Sequence, residues 1–192
     1  QTFIPQSQTA EVSLSISNNS RFRPRFYQWL LSLPPWSDFL KARISQEEFE
    51  RFVVIDFIVG NLDRHFANWM INDKNEIKAI DNGYAMPHKH TETRRTNQHL
   101  WKILPQAQVP FGETAQKIIA QLRKQNVTQD LADRGLITDI QRKCLEDRIE
   151  VVSHFVEKEK TPCELGDVKQ ARDIEKVIKK IAKAKADVAS AA

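Results

Sequence analysis

The sequence predicts a mainly helical α+β domain carrying one short β-hairpin. Three observations predict it. Apolar residues recur at helical spacing from Ser45 to Gly60 and again from Glu113 onward. Only one pair of short β-type runs interrupts them, with polar turn formers between. The chain has 192 residues, 41% of them hydrophobic and 28% charged, which suffices for one domain with a real core.

The elements follow in chain order. Residues 1–20 are rich in Gln, Ser, Thr and Asn without periodicity and are expected to form an extended or mobile arm. Residues 21–33 are aromatic and fit a short helix, ended by Pro34-Pro35. Residues 36–42 fit a second. Ser45 is a good N-cap with Glu48 three residues on, a capping-box pattern. Phe49, Phe52, Val53, Asp56 and Phe57 then recur helically up to Gly60-Asn61, where both residues tolerate a left-handed stop. The runs 69–71 and 77–80 flank Asn72-Asp73-Lys74-Asn75 and read as the hairpin. Residues 84–97 are irregular and polar. Further helices are predicted near 113–125, 128–134, 139–158 and 167–186. The last is Lys/Ala-rich, and its end could be disordered.

Bulk properties exclude several classes. A net charge of +4 is only mildly basic, so no nucleic acid is expected as a partner. No apolar run is long enough to span a bilayer, and the longest, 52–60, is broken by Asp56. The two cysteines, Cys144 and Cys163, show neither metal spacing nor a disulfide framework. A cytoplasmic address, with or without peripheral membrane contact, is the expectation.

The chemistry concentrates in Gly60-Asn61-Leu62-Asp63-Arg64-His65-Phe66-Ala67-Asn68-Trp69-Met70-Ile71 and, across the hairpin, Ala79-Ile80-Asp81-Asn82-Gly83. Phosphoryl transfer needs a carboxylate to orient the attacking hydroxyl. It also needs hard oxygen ligands for a Mg²⁺ that bridges the triphosphate. Kinases supply these as D-x4-N on a loop, followed by an Asp after a short hairpin. Asp63 and Asn68 are five apart, and Asp81 lies thirteen beyond Asn68. The hairpin can bring both metal ligands to one edge. Any one of these residues alone reads as a turn or cap residue; the combined spacing is what carries the signal.

The pattern G-N-L-D-R-H-F-A-N-W-M-I…A-I-D-N-G resembles the catalytic loop and metal motif of phosphoinositide 3- and 4-kinases. It is most similar to the plant-type and type II 4-kinase branch. The stretch from His99 to Phe111, with Pro105-Gln106-Ala107 and Pro110-Phe111, is similar to the W-x-x-W-P-Q-A-x-x-P-F segment of that branch. It departs from it at Leu104. The resemblance covers residues 52–122 and implies the following roles. Asp63 is the catalytic aspartate, Arg64 braces the loop through a carboxylate partner, and His65 acts on the transferring phosphate or the hydroxyl. Asn68 and Asp81 bind Mg²⁺, with Mn²⁺ as a substitute, and with it ATP. Met70 and Ile80 floor the adenine, a core role for them being equally open. Asp56 anchors loop backbone or Arg64. Lys89, Arg94 and Arg95, with His88 and His90, belong to an activation or substrate loop that could receive an anionic headgroup.

Composition and pattern at the ends, with the resemblance in the middle, divide the chain into the arm (1–20), a kinase-like C-lobe (21–160) and a basic C-terminal helix (161–192). Within the lobe fall a catalytic loop (60–68), a metal motif (81–83) and a substrate loop (84–98). Residues 1–62 hold no Gly before Gly60 and no lysine but Lys41. A phosphate-covering N-lobe is therefore expected from elsewhere in the precursor or from another chain. Three functions stay open at this point. They are a kinase acting on a lipid headgroup, a protein Ser/Thr kinase on the same scaffold, and a catalytically incomplete lobe serving as an interaction module.

Overall fold

Ser45 sets the start of the central helix. Its hydroxyl accepts from the Glu48 backbone N–H at 3.2 Å. The Glu48 carboxylate accepts from the backbone N–H of Ile77 at 2.8 Å, tying the helix start to the hairpin. The computed structural model describes residues 8–9, 36–61, 63–65, 68–88, 99–168 and 171–191. Their elements are β1 (Gln8–Thr9), α1 (Trp36–Arg43), α2 (Gln46–Val59), β2 (Trp69–Ile71), β3 (Ile77–Ala79), α3 (Glu113–Gln125), α4 (Val127–Asp133), α5 (Asp139–Glu157), α6 (Pro162–Leu165) and α7 (Ala171–Ala191). Two 3-10 turns, Leu100–Ile103 and Pro105–Gln108, precede α3. The mainly helical fold with its hairpin is as the sequence predicts.

Two differences have physical causes. The hairpin is part of a three-stranded antiparallel sheet in the order β1-β2-β3. Gln8 pairs with Ile71 and Thr9 with Met70, so this piece of the expected arm is docked strand. A two-residue strand has no periodicity to read. The expected 167–186 helix is displaced to 171–191, and α6 precedes it. Thr161 and Glu164 form a reciprocal capping box that starts α6, with Pro162 at its first position. The predicted helix at 21–33 lies outside the described residues.

Helix α2 is the centre of the domain. Phe49, Phe52, Val53, Val54, Phe57 and Ile58 are all buried. Phe52 stacks on Trp69 of β2, ring centroids 5.1 Å apart, and Phe49 meets Trp101 edge-on at 6.4 Å. Burying each such ring contributes roughly 1.5–3 kcal/mol. Two buried polar groups on this side are joints. Glu50 accepts from the backbone N–H groups of Gly112 and Ala115 at 3.0 and 3.2 Å, capping α3 from another helix. Gln106 donates its amide to the Ile44 carbonyl at 2.8 Å. The Pro-Gln-Ala segment thus clamps the bend between α1 and α2.

Gly60 ends α2 in a left-handed conformation, φ 62°, with its N–H on the Asp56 and Phe57 carbonyls. Arg148 of α5 packs over it and donates to the Phe57 carbonyl at 3.0 Å. A Cβ at Gly60 would stand 2.8 Å from Arg148 Cζ. Burial pushes the Arg148 guanidinium down to about 10, opposed by nearby Cys144 and Asp56, so it remains a cation at neutral pH. Gly60→Ala should therefore lower stability by about 1–3 kcal/mol, from backbone conformation and displacement of a buried cation together. Urea denaturation measures it; an unchanged midpoint would refute the close packing.

Candidate active site

The loop after Gly60 is held by buried polar side chains. Asn61 has no solvent exposure. Its Oδ1 accepts from the Asp63 backbone N–H at 2.9 Å, while its Nδ2 donates to the Asp81 carbonyl at 3.0 Å. One carboxamide thus spans the catalytic loop and the far side of the hairpin. The Asn68 side chain donates to the Asp63 carbonyl at 2.8 Å, closing the loop from its other end. The Asn68 carbonyl also receives the Ile80 N–H at 3.0 Å, extending the hairpin ladder one step toward Asp81.

Arg64 is the second joint, and it too is fully buried. Its Nε donates to Asp56 Oδ1 at 2.7 Å. One terminal nitrogen donates to the Asn68 and Ile80 carbonyls, the latter at 2.7 Å, and the other to Asn82 Oδ1 at 2.6 Å. The planar fork suits this fan of fixed acceptors; the point charge of a lysine would not. Asp56 uses its other oxygen as well. Trp101 Nε1 donates to Oδ2 at 3.0 Å, and His99 Nδ1 is 3.9 Å from the same atom. Helix α2, the catalytic loop, the hairpin exit and the segment 99–101 therefore meet on one buried ion pair. Trp101→Phe keeps an aromatic six-membered ring but removes the donor and leaves the space of the indole's five-membered ring unfilled in a fully buried position. It should cost about 1–3 kcal/mol, read by chemical denaturation; no change would mean that this bond is idle.

Around this hub stand the predicted site residues. Asp63 and His65 are partly exposed, His65 Nε2 3.9 Å from Asp63 Oδ2. Asn68 is buried where the chain joins β2. Asp81 projects into solvent from a left-handed backbone, φ 50°. Asn75, Met86, His99, Asn126 and Glu159 share that region, which an Asp tolerates. Met70 opposes Lys78 across the sheet, on the face opposite the buried Trp69 and Ile71, and is half-buried like Ile80. Lys89, His90, Arg94 and Arg95 lie outside the described residues; His88 is exposed. The segment leading to them is pinned at Met86. Its N–H donates to the Val59 carbonyl at 2.6 Å, and its carbonyl accepts from Gln141 at 2.7 Å.

Asn61, Asn82, Trp101 and Arg148 are site-building residues that sequence reasoning did not single out. Asn61 and Asn82 sit inside the quoted motifs, where their polarity passes for turn chemistry. Trp101 lies in the branch-like segment. Nothing local marks Arg148.

A carboxylate, a carboxamide and a second carboxylate are held around a loop and hairpin, the arrangement expected of a kinase-type site. Comparison with known families gives the same class. Residues 3–165 match the family described as "Phosphatidylinositol 3- and 4-kinase", and the chain belongs to that family. It is 36% identical over 111 aligned residues to phosphatidylinositol 4-kinase type 2-beta of Rattus norvegicus, covering 46% of this chain and 23% of that protein. With phosphatidylinositol 4-kinase type 2-alpha of Danio rerio it shares 34% identity over 121 residues, covering 53% of the chain and 25% of the relative. The match thus spans about a quarter of each relative's length.

Proposed function

We propose that this chain is the acceptor-activating and metal-binding half of an ATP-dependent phosphoinositide kinase of the type II 4-kinase kind. The observation that carries the reading is the double tether of Asn61, from the Asp63 N–H to the Asp81 carbonyl. It gives the two carboxylates, eighteen residues apart in sequence, a common frame. A scaffold without chemistry has no need of that frame.

The donor set fits magnesium. Asn68 has its amide nitrogen committed to the Asp63 carbonyl, which leaves the side-chain oxygen as its ligand atom. Asp81 adds a carboxylate. Among the described residues no cluster of three or more His, Cys, Asp or Glu could cage a metal. Mg²⁺ bound with nucleotide needs only one or two protein oxygens beside phosphate and water. When bound, Mg·ATP supplies the transferable phosphoryl group and neutralises its charge. The chain's own residues do the rest. Asp63 orients the acceptor hydroxyl and takes its proton. His65, near the Asp63 carboxylate, contacts the same hydroxyl or the transferring phosphate. Arg64 holds the loop and does not touch substrate, since all its bonds face inward. Met70 and Ile80 present apolar surface for the adenine ring. The substrate loop that contains Lys89, Arg94 and Arg95 meets the anionic headgroup. A phosphate-covering lobe comes from outside these residues.

Transfer of labelled phosphate from Mg·ATP to phosphatidylinositol vesicles tests this. Lipid product that disappears in Asn68→Ala is the expected result. Labelling of protein serine with none of the lipid would replace the substrate reading and leave the site standing.

A further inference from the structure

We propose that the solvent face of α7 is a docking surface for an anionic lipid bilayer. Helix α7 is sharply two-sided. Ile174 is buried, and Val177, Ile178 and Ile181 are half-buried on the same side. Lys185 ties the helix to Glu150 of α5 at 3.1 Å. At about 100° per residue, Arg172, Lys176, Lys179, Lys180 and Lys183 fall within an arc of about 100° on the opposite side. All five are exposed. The helix carries six cations and three carboxylates, a net +3 against +4 for the whole chain.

The pairing of these charges separates this face from an ordinary solvated one. Elsewhere several exposed cations stand a turn from an acid: Lys117 with Glu113 at 2.7 Å and Lys143 with Asp147 at 2.7 Å within helices, and Arg134 with Asp130 at 3.0 Å and Lys160 with Glu164 at 2.8 Å at helix ends. Exposed lysines outside such pairs, Lys41 in α1 and Lys124 in α3, stand singly and form no stripe. Such pairs support a helix, whereas like charges three or four residues apart weaken it. Residues 176–186 contain five lysines and no carboxylate. Lys176, Lys179, Lys180 and Lys183 make no ion pair among the described residues, although Glu175 stands one turn before Lys179. Only Arg172 at the helix start has an acid within 4.0 Å, Asp173. A stripe of unpaired lysines costs helix stability unless anions lie against it. A surface bearing anionic lipids offers them in the plane that a straight helix face can meet, each cation near it contributing on the order of 1 kcal/mol. No described helix is long and apolar enough to cross a membrane, so contact at this face is peripheral. The choice of a bilayer rests on the phosphoinositide-kinase reading, whose substrate lies in one.

Co-sedimentation of the full chain with phosphatidylcholine vesicles, with and without phosphatidylserine, tests the surface. The expected result is binding to the anionic vesicles only, weakening as salt rises. Lys179→Gln/Lys183→Gln should lower partitioning about thirtyfold, with the circular dichroism spectrum unchanged. Lys176→Gln/Lys180→Gln should repeat the effect if the first pair misfolds. Lys117→Gln/Lys143→Gln, which removes paired lysines from α3 and α5, should change it little. Equal losses in all three variants would reduce the effect to net charge and overturn the proposal. So would wild-type indifference to phosphatidylserine, or tighter binding to a homopolymeric RNA than to the vesicles. Intact vesicle binding without phosphorylation of phosphatidylinositol, assayed on a protein that includes the proposed nucleotide-covering lobe, would sink the substrate reading alone. Phosphorylation of a soluble short-chain lipid without charge-dependent vesicle binding would sink this surface alone.

Discussion

Asp63→Asn is expected to lower phosphoryl transfer by about 10²–10⁴-fold, the range for losing a positioned general base. The substitution changes one oxygen to an amide and keeps the side chain's shape. The backbone bonds that place residue 63 stay available, since Asn61 holds its N–H and Asn68 its carbonyl. The loss should therefore fall on the rate of transfer, with the apparent affinity for Mg·ATP nearly unchanged. Steady-state kinetics at varied ATP checks this. A large rise in the ATP Michaelis constant with little change in turnover would move Asp63 to nucleotide binding.

Asp56→Asn should destabilise the fold by about 3–5 kcal/mol, the cost of stripping a buried cation of its counter-ion. Asp56 is the carboxylate within ion-pair distance of Arg64 among the described residues. Its two oxygens serve two donors, Arg64 Nε and Trp101 Nε1. A carboxamide keeps one acceptor and points an N–H₂ group at the other donor. The effect should spread beyond stability, because Arg64 also fixes the Asn68 and Ile80 carbonyls and the Asn82 side chain. Denaturant titration with tryptophan fluorescence gives the size. A loss under 1 kcal/mol would mean that the pair is not structural.

The parts of this arrangement that were legible in sequence are the local ones. The Ser45 cap, the Gly60 stop and the hairpin around Asn72-Asp73-Lys74-Asn75 each follow from a few adjacent residues whose backbone preferences agree. Asp63, Asn68 and Asp81 stand out because the metal and acceptor chemistry proposed for them calls for specific residue types at a specific spacing. The frame that holds them does not. Asn61 in sequence is a tolerable helix stop, and only the fold shows its amide reaching Asp81 twenty residues on. Glu50 looks like a solvent residue on α2 until Gly112 and Ala115 bring unpaired N–H groups to it. Arg148 lies 91 residues from the carbonyl it caps. Such partners are set by tertiary packing, so no window of sequence contains them.

The central claim is that the site divides its labour: Asp63 acts on the acceptor, and Asp81 with Asn68 holds the metal. The most direct measurement is the thermal shift given by ATP with and without Mg²⁺, on a protein that includes the proposed nucleotide-covering lobe. Wild type, Asp63→Asn and Asp81→Ala are compared. At a hundredfold excess over the dissociation constant, binding stabilises by about 2.7 kcal/mol. The account predicts a Mg²⁺-dependent shift in wild type and Asp63→Asn that is lost in Asp81→Ala. A Mg²⁺-dependent shift that survives Asp81→Ala unchanged would contradict it.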